Sequence, residues 1–421
     1  MHAFSSIHSK PAGWLVYAAL LAAGGLCFAQ NPAKTPIAQI PAKSDGASLP
    51  PFVPGMDAAP TTVTSADGTV EVGSIAGAAY RIDIPANWNH SLVVFYHGYS
   101  EQPYLFKIGA AINGTAGEML ARGYAVIESG YSDTGWAIER ALPETEQLRA
   151  YFLREHGQPK ESYVVGGSMG GALTMITIEQ RPEIYNGALS LCGRLGPTDA
   201  PMQQRFAWRA AFDYYFPGLM PPLVPTPPDY VETDALRTKV GDALKANPTA
   251  AASMRGLTSL HTDADVARMM VYFTYIISDF QKKAGGNPFD NSNTIYSGTS
   301  PDNTASDNAL NDGAHRYAAD PLARQYLVRN YTPTGKLLRP MIDLHTTYDP
   351  LIPVSGITLY PQEVAAAGFP QNFVEQYVKR DGHCTMSAAE AGVAFDELLT
   401  WVHQGKRPVP GLLPGADSQQ K

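Results

Sequence analysis

Three residue types in one order along the chain can carry out nucleophilic acyl transfer. A serine hydroxyl is a poor nucleophile at neutral pH, so it needs a base, and the base needs an acid to orient it. Ser168 stands in Gly166-Gly167-Ser168-Met169-Gly170, between the apolar run Tyr163 to Gly166 and a helical pattern from Gly170 to Gln180. A nucleophile on a strained strand-to-helix turn needs small neighbours, and the helix N-terminus favours the negative charge that develops there. Asp349 follows the strand-like RPMIDLHTT, and His383 follows QYVKRDG. Asp343 is a weaker candidate acid because it sits mid-strand, and Asp381 is too near His383 to reach round it. A histidine base acts only when neutral, which predicts turnover that rises with pH. The oxyanion of the tetrahedral intermediate requires two backbone N–H groups. Met169, next to the nucleophile, supplies one, and Tyr99, in the loop after the apolar run LVVFY, supplies the other. His97 reads as a brace for that loop rather than as a second base. His261, His315, His345 and His403 have no comparable context.

The elements that position these residues alternate between strand and helix. TVEVGSI, AAYRIDI, LVVFY, YAVIE, the run before Ser168 and Ala188 to Cys192 read as strands, the later ones short and apolar enough to be buried on both faces. A helix beginning at Pro143 and one following Ser168 lie between them, which predicts an α/β fold with a mostly parallel sheet flanked by helices. From Arg194 to Gly335 the alternation stops and helical patterns dominate, followed by a polar Asn/Asp/Ser loop from Asn287 to Gly313. The expected organisation is a core of 61–193 and 336–407, a helical cap of 194–335 inserted after the sixth core strand, and a C-terminal tail of 408–421. Trp208, Phe212 and Tyr215 begin the cap and are candidates to line an apolar substrate pocket.

Composition limits the partners. Of 421 residues, 44% are hydrophobic and 17% charged, and the net charge of -8 gives no electrostatic footprint for nucleic acid or an anionic membrane. Lys10, the apolar Gly13 to Leu26 and the small residues at Cys27 and Ala29 read as a signal peptide over 1–29. That stretch is shorter than a membrane span needs, so no span is expected in the mature chain. Residues 30–60, rich in Pro, Ala and Ser, read as a linker. The expected destination is the periplasm or the medium. No Cys/His zinc spacing occurs, so neither metal nor cofactor is expected.

The segments YHGYS, GGSMGG, LHTTYDPLIP and RDGHC, with the terminal helix ending WVHQGKRP, resemble the α/β-hydrolase superfamily, and within it exported, capped serine esterases and peptidases. The resemblance covers the core and leaves the cap unassigned. It implies the triad Ser168, His383 and Asp349, and hydrolysis of a small-molecule ester as the leading function. Alternatives are a peptidase acting on short peptides, with Asp229, Glu232 and Asp234 available to hold an amine, an acyltransferase, or a binding protein on the same scaffold. The Tyr99 and Met169 pair resembles the oxyanion hole of cutinase-like polyester hydrolases, which lack a large cap. Tannase-type esterases also place a Cys after the catalytic His, but pair it with a Cys where Gly167 stands here. In such a fold Cys192 and Cys384 both lie at the carboxyl edge of the sheet, near enough to form a disulfide.

Overall fold

A computed structural model describes residues 59–300, 304–329 and 331–415. The expected signal peptide over 1–29, and the expected linker up to residue 58, lie outside the described residues. The described strands form one sheet of ten, in the order β1-β2-β3-β5-β4-β6-β7-β8-β9-β10. These are β1 (Thr61–Ser65), β2 (Gly68–Ile75), β3 (Ala78–Pro85), β4 (Leu92–Tyr96), β5 (Ala125–Ser129), β6 (Ser162–Gly167), β7 (Gly187–Leu191), β8 (Met341–Tyr348), β9 (Phe373–Asp381) and β10 (Gly411–Leu412). From β5 through β10 every pairing is parallel, whereas β1, β2 and β3 join antiparallel. This is the α/β-hydrolase fold.

Each parallel strand presents alternate residues to two apolar layers. In β4, Leu92, Val94 and Tyr96 enter one layer, and Val93 and Phe95 enter the other. The second layer is closed by α1 (Gly114–Ala121) and the terminal helix Ala388–Gln404, through Met119, Phe395 and Leu398. The first is covered by α2 (Ile138–His156) and α3 (Met169–Gln180), and it continues without a break into the insertion between β7 and β8. The insertion therefore shares the core of one sheet face rather than closing a core of its own. Its helices are α4 (Asp199–Tyr215), α5 (Asp234–Ala246), α6 (Pro248–Thr258), α7 (Asp263–Ala284), α8 (Thr304–Gly313) and α9 (Pro321–Arg329).

The structure departs from the sequence reading at four places. β1 adds a strand before the first expected one, its residues all exposed and held only by the hairpin to β2. α2 starts at Ile138, five residues before Pro143, because Ile138 and Ala141 are buried and extend the helix. The polar stretch expected as loop ends in α8, whose Asp307 accepts from the Gly298 and Thr299 amides and whose Asn311 accepts from the Tyr296 amide. The same side chains that mark a loop by composition thus tie a short helix to the loop before it. Finally, the expected tail supplies β10, which pairs parallel with β9 and is followed by the buried Leu413.

Candidate active site

Five parallel strands end at the same edge of the sheet, and the residue or loop after each contributes to one cleft. Tyr96 of β4 leads into His97-Gly98-Tyr99, Gly167 of β6 into Ser168, Leu191 of β7 into Cys192, Tyr348 of β8 into Asp349, and Asp381 of β9 into His383. In open α/β sheets ligands bind at this carboxyl edge.

Ser168 caps α3 with φ 59° and ψ -118°, a left-handed backbone that costs of order 1–3 kcal/mol for a residue with a Cβ. Its glycine neighbours are needed for close approach. A Cβ at Gly170 would lie 2.1 Å from Tyr96 O, and one at Gly166 would lie 2.4 Å from Gly170 O. The turn is fastened on both sides by Ser168 N–H donating to Leu191 O (2.9 Å) and Arg194 N–H donating to Ser168 O (3.2 Å).

The structure brings Ser168, His383 and Asp349 into one hydrogen-bonded chain. His383 Nδ1 lies 2.6 Å from Asp349 Oδ2, and His383 Nε2 lies 2.8 Å from Ser168 Oγ. A carboxylate can only accept, so Nδ1 carries the proton and Nε2 is left to accept from the serine hydroxyl. Asp349 is buried, and its Oδ1 takes the N–H groups of Leu351 (2.8 Å) and Ile352 (2.9 Å). Burial alone would push its pKa up. The His383 hydrogen bond and charge, with help from the Ile352 amide and His345, outweigh that and hold it below the usual carboxylate range. Asp343 does not join this chain. It is buried within β8, where burial pushes its pKa up to about 8 and the Ser190 hydroxyl and Gly193 amide offset only part.

Cys192 and Cys384 are disulfide-bonded, with Cα atoms 5.2 Å apart. Both have left-handed backbone, φ 47° and 53°. The bond joins the end of β7 to the residue after His383, and Cys384 Sγ lies 3.5 Å from His383 Nε2. The loop is further held by Thr346 Oγ1 donating to Gly382 O (2.9 Å) and by Gly382 N–H donating to Tyr348 O (2.8 Å). The grouping of Cys192, Cys384 and His383 would suit a metal if the thiols were free, but the two sulfurs are bonded to each other.

Among the described residues, no acceptor takes the amide N–H of Tyr99 or of Met169. The Tyr99 loop lies directly against the nucleophile, since a Cβ on Gly98 would sit 3.3 Å from Ser168 Cβ. His97 braces that loop as expected from its position. Its ring is stacked between Tyr104 and Tyr131, its Nδ1 reaches Gly98 O (2.7 Å), and burial pushes its pKa down to about 4. The Tyr99 hydroxyl donates to Asp279 of α7 (2.9 Å), whose same oxygen accepts the Trp136 N–H (2.8 Å). The insertion thereby holds the loop from above.

A narrow cleft opens at Ser168. Its other walls include Tyr99, Trp136, Met202, Tyr272, Ile276, Leu351 and two arginines, Arg194 and Arg205. The aromatic residues expected to line it do not. Phe212 is fully buried and stacked on Phe216, Trp208 packs on Phe273, and Tyr215 contacts Tyr214. The early turns of α4, with Met202 and Arg205, face the cleft instead, and the later turns carry the buried core. Sequence reasoning also missed His345, buried with Nε2 3.9 Å from Asp349 Oδ2, the same oxygen that His383 Nδ1 meets at 2.6 Å. Its four-residue spacing from Asp349 is the only signal in the sequence. Arg194, directly after an apolar strand and the small residue Gly193, could have been singled out as a charge at a strand end.

Neither a protein-family profile nor a curated protein matches the chain. Solved structures align with most of it at low identity. Feruloyl esterase B from Aspergillus oryzae is 10% identical with a TM-score of 0.47, over 84% of this chain and 88% of that one. Candida antarctica lipase A is 14% identical with a TM-score of 0.46, over 85% and 84%. The acylaminoacyl peptidase of Pyrococcus horikoshii is 11% identical with a TM-score of 0.39, over 82% of this chain, which spans 41% of that longer protein.

Proposed function

We propose that the chain is an exported serine hydrolase that cleaves carboxylic esters with small aryl or acyl groups. The observation that carries this reading is the unbroken chain from Ser168 Oγ through His383 to a buried, ionised Asp349, set on a strained strand-to-helix turn. Ser168 attacks the ester carbonyl while His383 Nε2 takes its proton, and Asp349 stabilises the imidazolium. The tetrahedral oxyanion sits between the N–H groups of Tyr99 and Met169. The imidazolium then protonates the leaving alcohol. Water repeats the sequence on the acyl-enzyme and releases the acid. The disulfide fits the oxidising periplasm or medium to which the leader would direct the chain.

A peptidase would need a carboxylate to hold the substrate's amine. Of the cap acids available for that, Glu232 and Asp234 are both paired with Arg237, and the cleft itself is lined by arginines. An ammonium group is disfavoured there. A fluorophosphonate probe tests the reading, together with p-nitrophenyl esters of graded chain length, aryl methyl esters and aminoacyl anilides. Labelling of wild type but not of Ser168→Ala, with ester turnover, is the expected result. No labelling, or turnover of anilides alone, would overturn it.

A further inference from the structure

Five arginines are buried among the described residues: Arg81, Arg149, Arg194, Arg205 and Arg209. Arg81 pairs with Asp83 at 2.7 Å, Arg149 with Glu146 at 2.8 Å, and Arg209 with Asp213. The two that line the cleft at Ser168 have no such partner. Arg194 donates to Leu195 O and Pro197 O, and Arg205 to Pro201 O and Leu351 O, so the hydrogen bonds of both go to neutral carbonyls, and Arg205 also lies over the Phe273 ring at 5.3 Å. The Nε of each has no hydrogen-bond partner. Each residue is only 4% exposed. The nearest carboxylates act only from a distance: Asp199, itself paired with Arg324, and Glu363 on Arg194, and Asp349 on Arg205. Burial pushes both guanidinium pKa values down, and Arg205 also repels Arg194.

An uncompensated charge in a buried site is costly, and two like charges side by side are costlier. The rest of the fold neutralises its buried arginines, so the exception at the nucleophile calls for a neutralising group from outside the chain. We propose that the ester substrate carries a carboxylate, bound by Arg194 and Arg205 while its ester carbonyl lies at Ser168. A planar guanidinium matches a carboxylate in shape as well as charge. The remaining lining, Met202, Tyr272, Ile276 and Leu351, suits a short apolar spacer between the carboxylate and the ester. This rests on the esterase reading and assigns its substrate class.

The test compares kcat/KM for matched esters. One arm sets the p-nitrophenyl half-ester of glutaric acid against p-nitrophenyl pentanoate, which places the charge on the acyl side. The other sets 4-acetoxybenzoate against phenyl acetate, which places it on the leaving group. Wild type should prefer the anionic member of at least one pair by about 30-fold or more, and Arg205→Gln and Arg194→Gln should each lower that ratio by about fivefold or more. Glutarate should inhibit wild-type hydrolysis of the neutral ester competitively, where glutaramide does not. That measurement needs no variant to fold. Equal or better turnover of the neutral member in both pairs overturns the inference, as does inhibition by inorganic phosphate or sulfate that exceeds inhibition by glutarate. An enzyme labelled by fluorophosphonate without anionic preference refutes only this inference. An enzyme neither labelled nor active on any ester refutes the esterase reading beneath it.

Discussion

Ser168, His383 and Asp349 stand at the carboxyl edge of the sheet, where their side chains are bonded to one another. The hydroxyl meets the imidazole, the imidazole meets the carboxylate, and the carboxylate's other oxygen takes two amides. The Arg194 and Arg205 guanidinium groups stand where the insertion begins, hydrogen-bonded to carbonyls and paired with no carboxylate among the described residues. The difference separates two tasks. Chemistry needs groups already in place, so their cost is met within the fold. Selection needs a site that is incomplete until the right ligand arrives, and an unmatched charge rejects ligands that cannot match it.

The largest expected effects test the sheet side. Ser168→Ala and His383→Ala should each lower ester turnover by about 10⁴- to 10⁶-fold, and Asp349→Asn by about 10⁴-fold. The Ser168→Ala/His383→Ala double variant should be no worse than Ser168→Ala, because the three act as a unit. Additive losses would mean that the sheet side is not one device.

Opening the disulfide tests whether that side is also fixed mechanically. Cys192→Ala/Cys384→Ala should lower unfolding stability by about 2–5 kcal/mol. It should also cut kcat by up to about 10²-fold with KM nearly unchanged, because a base displaced by a fraction of an ångström still lets substrate bind. Denaturant titration and initial rates measure the two effects separately.

Asp279 joins the two sides, since it reaches from α7 to the Tyr99 hydroxyl and the Trp136 N–H. Asp279→Asn should lower kcat by about tenfold, the order expected for losing a hydrogen bond to a charged group. If the effect passes through Tyr99, Tyr99→Phe should cause a similar loss and the pair of changes little more. Full additivity would place Asp279's contribution elsewhere.

The smallest effect concerns two acids at β8. Asp343, pushed up to about 8, holds its proton in the folded chain more tightly than in the unfolded one. Its contribution to stability is complete below about pH 4, the unfolded value, and is lost as pH rises through about 8. Asp349 is shifted the other way, so its contribution is present above the unfolded value and is lost as acid protonates it. Unfolding midpoints should fall more steeply between about pH 4 and 8 in wild type than in Asp343→Asn, and the two should run parallel above that range.

The hydrogen-bonded chain of Ser168, His383 and Asp349 was legible because each member sits in a local pattern. Ser168 lies among glycines that packing against Tyr96 requires, and Asp349 and His383 follow strands whose apolar runs are plain in the sequence. The cleft wall was not legible. Trp208, Phe212 and Tyr215 are the conspicuous residues of α4, yet conspicuous aromatics are what a buried helix face needs, and the turn that faces the cleft carries Met202 and Arg205. Arg205 acquires its meaning only when Leu351, from a distant segment, and Arg194 come beside it. Neither the absence of a counter-ion nor the meeting of those segments is a property of any short stretch. α8 and β10 were hidden for a related reason, since polar side-chain bonds and two residues of pairing leave no periodic signal.

The Cys192–Cys384 bond closes a covalent ring that contains the whole insertion, Asp349 and His383, with Ser168 just outside it on the strand-side arm. A protease that cuts any one peptide bond within the ring opens it without dividing the molecule. The arm that carries Ser168 and the loop that carries His383 stay tethered at the sulfurs. In surroundings rich in proteases and poor in reductants, the long helical insertion can therefore be nicked without its two flanking halves drifting apart. A nicked sample should run as one band until it is reduced, and should lose its activity on reduction rather than on cleavage.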